Sequence, residues 1–162
     1  RRRGLRSKPF DAEGLPNRRR NIVEDGVLTT WLLDLRSARQ LKMAPTGHAA
    51  RGTSSPPGPA ATNIWLEKGK TTRADLLASI DEGFYVTELM GMGINGVTGD
   101  YSRGAAGFWI VKGEFAFPVS EVTVAGNLKD MYRNLTPADD LEFKTGNDAP
   151  TVRIDGMTVA GA

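Results

Sequence analysis

Phe108-Trp109-Ile110-Val111-Lys112-Gly113-Glu114-Phe115-Ala116-Phe117-Pro118-Val119 sets two apolar runs on either side of Lys112-Gly113. Short runs rich in aromatic and β-branched residues, bounded by a glycine-bearing turn, read as strands Phe108–Val111 and Glu114–Val119. Outward from this pair, Glu121–Ala125 follows as a further strand and Phe84–Met90 precedes it as another. Thr62–Glu67 also reads as a strand. Asn21 to Leu33 reads as a hairpin turning at Asp25-Gly26, a dipeptide that accepts the positive φ values of a type I′ turn. Thr151–Ile154, Asp155-Gly156 and Met157–Val159 read as a second Asp-Gly hairpin. Asp34 caps a helix that runs through Met43, with Pro45 ending it. Thr72-Arg73-Ala74-Asp75 resembles a capping box for a second helix, apolar at Leu76, Leu77 and Ile80 and stopped by Gly83. Asn127 caps a third, with Leu128, Met131, Tyr132 and Leu135 at i, i+3, i+4 and i+7. About eight short strands and three short helices, mostly joined by tight turns, define an α+β chain of mainly antiparallel sheet. A barrel-like curl of that sheet is left open.

The totals narrow the chemistry. At 162 residues and 40% apolar, the chain suffices for a single domain over 1–162 with a real core. It contains no cysteine, which excludes disulfides, thiolate metal sites and thiol nucleophiles. No apolar run approaches the ~20 residues that cross a bilayer. The basic opening Arg1-Arg2-Arg3-Gly4-Leu5-Arg6-Ser7-Lys8 is followed by no apolar segment, so it is not a secretory signal. With no initiator methionine, the chain reads as part of a longer intracellular protein acting in the cytoplasm.

Residues 1–20 hold eight basic and two acidic side chains, while the other 142 residues hold 13 and 17. Pro9, Gly14 and Pro16 make this basic segment an extended arm. Arg1–Arg3 and Arg18–Arg20 could meet phosphates, but only Phe10 interleaves with them and no nucleic-acid motif is present. The reading favoured is a solvated edge whose charges deter strand pairing. Residues 44–61 form the longest loop, stiffened by Pro56-Pro57-Gly58-Pro59.

His48 is the only histidine. Alone it cannot build a usual zinc or iron site, and no Gly-x-Ser-x-Gly elbow supports a triad around it. A general base is the sharper reading of His48 and a structural loop residue the favoured one. Gly91-Met92-Gly93-Ile94-Asn95-Gly96 matches the dinucleotide fingerprint by letter. The residues after it are poor helix formers, however, and a helix N-terminus is what would hold a pyrophosphate. Six of the seventeen residues from 91 to 107 are glycine. Among them Asp100, Tyr101, Ser102, Arg103 and Gly104 could form a loop that offers backbone amides and an arginine to a peptide or a subunit. Tight turns packed under neighbouring strands are the alternative.

Several segments taken together resemble one family. They are Phe10-Asp11-Ala12-Glu13-Gly14, Asn21-Ile22-Val23-Glu24-Asp25-Gly26-Val27-Leu28, Ser37-Ala38-Arg39, Thr46-Gly47-His48-Ala49 and Thr62-Asn63. Gly99-Asp100-Tyr101-Ser102-Arg103-Gly104-Ala105-Ala106-Gly107, Pro118-Val119 and Thr123-Val124-Ala125-Gly126-Asn127-Leu128 continue the series. Their order resembles the C-terminal domain of the TldD/PmbA family, also called modulators of DNA gyrase. The Gly-Asp-Tyr-Ser-Arg-Gly stretch looks like the PmbA (TldE) branch. The resemblance implies a cytosolic metalloprotease of paired TldD-like and PmbA-like subunits that digests unfolded peptides and matures peptide antibiotics. It places the metal, zinc, on a His-Glu-x-x-x-His motif of the TldD-like subunit, upstream of this region, with a cysteine from that subunit's C-terminal domain. Thr145-Gly146-Asn147-Asp148-Ala149-Pro150, near the corresponding place, has no cysteine. The resemblance therefore implies a non-catalytic partner with no metal or catalytic residue of its own, pairing with a TldD-like subunit or itself. A DNA- or gyrase-associated regulator and a self-sufficient hydrolase using His48 are the alternatives.

Overall fold

The computed structural model describes residues 4–161, which divide into two compact units. Arg1–Arg3 lie outside the described residues. The first unit comprises the described residues up to Trp65 together with Phe143–Asp148. Its hairpin pairs β1 (Val23–Glu24) with β2 (Val27–Leu28) through Asp25 at φ 49° and Gly26 at φ 78°, the expected turn. Helix α1 (Leu35–Leu41) starts at Asp34, whose carboxylate accepts the Ser37 N–H at 2.7 Å. The helix ends before Pro45 is reached, because Lys42 turns left-handed at φ 55°.

Within the predicted loop 44–61, β3 (Ala49–Ala50) and β4 (Gly58–Pro59) pair antiparallel. The Thr62–Glu67 strand contracts to β5 (Ile64–Trp65). The basic segment is not a simple extended arm: Phe10 bridges Pro16, and Asp11 between them is buried.

The second unit runs from Leu66 to Glu142 and resumes at Ala149. Helix α2 (Arg73–Ala78) is capped by Thr72, whose hydroxyl accepts the Asp75 N–H at 3.1 Å. It ends at Ser79, short of the expected stop at Gly83, which lies in β6 (Glu82–Met90). Strand β7 (Asp100–Val111) pairs antiparallel with β6 and with β8 (Glu114–Asn127). The two runs read as Glu114–Val119 and Glu121–Ala125 are thus one strand. Ser120 and Glu121 together face the single Ala106, and Glu121 takes φ 58° at this bulge.

Helix α3 (Leu128–Arg133) begins at its predicted cap, Asn127, but Leu135 leaves the expected stripe to start β9 (Leu135–Pro137). No residue of α3 is buried, so no core contact extends the helix past Arg133. In the first unit, β10 (Asn147–Asp148) runs parallel to β5. The second Asp-Gly hairpin does not form. β11 (Val152–Ile154) pairs with β9, and β12 (Thr158–Ala160) with β8, giving a four-stranded sheet in the order β12-β8-β7-β6. Leu76, Ala105, Ile110, Val124 and Ala138 are the buried apolar residues of this unit. No helix is long and apolar enough to cross a membrane among the described residues.

Candidate functional site

Asp100, Tyr101, Ser102, Arg103 and Gly104 do not form a loop. They open β7, in register with Asn127, Gly126, Ala125, Val124 and Thr123 of β8. The loop is the preceding segment, Gly91–Gly99. It lies along the other edge of β7 beyond the end of β6, with Ile94 bridged to Tyr101. Ser102 donates its N–H to the Gly93 carbonyl at 2.7 Å, and a Cβ at Gly93 would collide with the Ser102 carbonyl oxygen. Close backbone approach is therefore what glycine supplies here. A strand follows the third glycine of the fingerprint where a helix would be needed to hold a pyrophosphate.

Three polar side chains of this region bond its own backbone and neighbours. The Asn95 carboxamide oxygen accepts N–H groups from Val97 and Thr98, at 2.9 and 3.2 Å. Asp100 accepts the Thr98 hydroxyl at 2.6 Å. Arg103 donates from Nη2 to the Leu89 carbonyl at 3.2 Å, and its Nε is buried without a partner among the described residues. Directly opposed residues of an antiparallel pair share a face, so Arg103 shares one with the buried Val124. A guanidinium placed there braces the β6–β7 edge.

In the first unit, His48 is buried, and its Nδ1 lies 2.8 Å from the Thr46 carbonyl. A carbonyl oxygen only accepts, so Nδ1 carries the proton and is committed to the backbone. The Thr46 hydroxyl in turn accepts the Leu33 N–H at 2.8 Å. Buried Asp11 accepts N–H groups from Glu13 and Leu15 through one oxygen, at 2.9 Å each, and from Ala49 through the other at 3.0 Å. Nothing in the sequence around Asp11 announces the partner at Ala49, 38 residues away. The one local signal is Gly14, whose positive φ closes the turn that Asp11 caps.

The acidic turn at Thr145–Asp148 is equally committed. Asp148 receives the N–H groups of Lys144, Thr145 and Gly146 and the Thr145 hydroxyl. These bonds, that of the Thr145 N–H foremost, hold its carboxyl below the usual aspartate range. Hydrogen bonds from Ser37 do the same for Asp34, and those from Thr151, its hydroxyl foremost, for Asp140. Arg19 stacks over Trp65 at 5.1 Å. With Arg20, Asn21, Glu24, Thr29 and Thr30 it lines an open cleft of about 520 Å³. Among the described residues, no three His, Cys, Asp or Glu side chains stand close enough together to hold a metal ion.

These features define an α+β chain of mainly antiparallel sheet in which Asp11, Asp34, Asn95 and Asp148 bond its own backbone. The chain belongs to the PmbA/TldA metallopeptidase C-terminal domain family, whose model matches residues 1–161. It is 45% identical to metalloprotease PmbA of Escherichia coli O157:H7, over 98% of this chain and 34% of that protein. It is 42% identical to the PmbA homolog of Haemophilus influenzae, with the same coverage. The chain thus spans about a third of the length of these curated relatives. A Thermotoga maritima structure described as a modulator of a DNA gyrase superposes with a TM-score of 0.86 at 35% identity, covering 97% of this chain and 36% of that one. TldE from Thermococcus kodakarensis, 23% identical over 95% of this chain and 36% of that one, shares the fold with a TM-score of 0.84.

Proposed function

We propose that this PmbA-type domain serves a cytoplasmic metal-dependent peptidase as a non-catalytic C-terminal domain. In this reading hydrolysis belongs to a complex in which a TldD-like subunit holds zinc, and the domain supplies an interface and part of the wall past which peptides move. The carrying observation is a mismatch between the family's description and the donor set. The family is a metallopeptidase one, yet the domain has no cysteine and one histidine, and that histidine's Nδ1 is bonded to the Thr46 carbonyl. A zinc site needs three or four nitrogen, sulfur or carboxylate donors converging on one point, and among the described residues no three His, Cys, Asp or Glu side chains do.

The test is casein-peptide hydrolysis with added zinc, using the full-length protein alone and then mixed with a TldD-like subunit. Activity in the mixture alone is the expected result. Hydrolysis by the protein alone, abolished by His48→Ala, would assign catalysis to this domain and overturn the reading.

A further inference from the structure

Strands β6 to β8 have the sequence of core strands on both of their faces. An antiparallel sheet with one face in water alternates apolar and polar residues. Phe108-Trp109-Ile110-Val111 and Phe115-Ala116-Phe117-Pro118-Val119 do not alternate. Opposed residues of an antiparallel pair share a face, which sorts these side chains into two sets. One face carries Gly83, Ile110 and Phe115 in one row and Tyr85, Phe108 and Pro118 in the next. This chain covers that face at the Gly83 end, where the Ile80 side chain lies against Gly83 and Ile110 is 1% exposed. The other face carries Phe84, Trp109 and Phe117 in one row and Val86, Gly107 and Val119 in the next. Phe84 and Trp109 pack ring to ring at 6.2 Å, yet Phe117 in the same row is 53% exposed. A row of Glu82, Val111 and Glu114 ends the apolar surface in charge.

The covering that is missing can be sized. The chain has 11467 Å² of accessible surface. Two separate compact bodies, each of half its mass, would have about 9,500 Å² together, so the excess holds wherever the two units sit. An excess on the order of 2,000 Å² is larger than the ~800 Å² per side of a standard subunit contact, and has the scale of a core left open. A core face must be covered while its own subunit folds, since left open it is a surface for aggregation. A tethered segment covers it at a roughly millimolar effective concentration, ahead of any encounter with a separate chain. The relatives carry the length for such a segment. This chain spans 34% of metalloprotease PmbA, and the family's description as a C-terminal domain sets the remainder upstream.

We infer that the Phe84–Trp109–Phe117 face is an interior face of the whole protein, covered by an apolar upstream segment of the same polypeptide. The inference rests on family membership and not on the supporting role proposed above. Photo-crosslinking of the full-length protein with p-benzoylphenylalanine in place of Phe117 tests it, alone and mixed with a TldD-like subunit. The expected product has the mass of one chain under denaturing conditions, its cross-linked peptide joins position 117 to an upstream residue, and the added subunit changes nothing. A product of twice the mass would make a second copy the occupant, and a cross-link to the added subunit would make that subunit the occupant. Either result overturns the inference, as does a cross-link confined to residues 1–162 or none at all. Hydroxyl-radical oxidation of the wild-type full-length protein, read by mass spectrometry, guards against a variant that misfolds. Relative to the urea-unfolded chain, Phe117 should be protected as strongly as Ile110. Oxidation of Phe117 at the unfolded rate overturns the inference.

Discussion

The two units are held together by different means. The first contributes only Leu33, Ala38 and Ala49 to the buried apolar set, alongside buried Asp11, Asp34, Thr46 and His48. Its strands are two residues long, so ladders satisfy few of its backbone groups. Carboxylates and a threonine hydroxyl take over as acceptors. The second unit has strands of nine, twelve and fourteen residues, which pair along their lengths and bury Ile110, Val124 and Ala105. Where the chain cannot run long ladders, polar side chains do the work of a neighbouring strand.

Asp11→Ala should therefore have the largest effect. Three backbone N–H groups lose their acceptor in a buried place, which costs about 3–4 kcal/mol. Urea unfolding gives the size of the loss. Hydrogen exchange read by mass spectrometry should place it around Leu15 and Ala49, with β7 and β8 still protected. Equal loss of protection in both units would erase the distinction drawn between them. Ile110→Ala is the counterpart in the sheet, a large-to-small change at a side chain 1% exposed, and should cost about 3 kcal/mol. It should loosen β6–β8 and spare the Asp11 turn.

Acid should produce the smallest and most selective effect. Asp34 and Asp148 in the first unit and Asp140 in the second have carboxyls held below the ordinary 3.8 in the folded state. A depressed folded pKa gives stability that is full well above 3.8 and is lost as pH falls through the folded value. Two of the three groups lie in the first unit, so that unit should lose its structure first on titration below pH 3.8. Near-ultraviolet circular dichroism and exchange profiles at successive pH values would show the order. Simultaneous loss would mean that the two units fold as one.

What the sequence made legible was local. Asp25-Gly26 and Lys112-Gly113 turn as their residue types require, with positive φ at all four positions. Asp34, Thr72 and Asn127 each cap the helix they precede. The misreadings are non-local. Glycine content made Asp100–Gly104 look like loop, whereas they open β7, and Gly107 further along is a strand residue where a Cβ would strike the Tyr85 carbonyl of β6. Asp155-Gly156 does turn the chain, but β11 and β12 then pair with β9 and β8, and nothing near the turn specifies those partners. For the same reason Asp100–Gly104, expected as a loop, open β7 instead. Composition marked residues 91–107 as unusual without dividing them into a braced strand and an apolar loop.

The parallel pairing of β5 with β10 has a consequence for how the protein is made. Trp65 meets Phe143 edge-on at 5.6 Å, and Ile64 aligns with Asn147. The last piece of the first unit therefore emerges from the ribosome only after Leu66–Glu142 have been synthesised. Until then β5 lacks its strand partner and Trp65 lacks the Phe143 ring. Folding of the first unit therefore cannot be completed as residues 4–65 emerge, and waits for Phe143–Asp148.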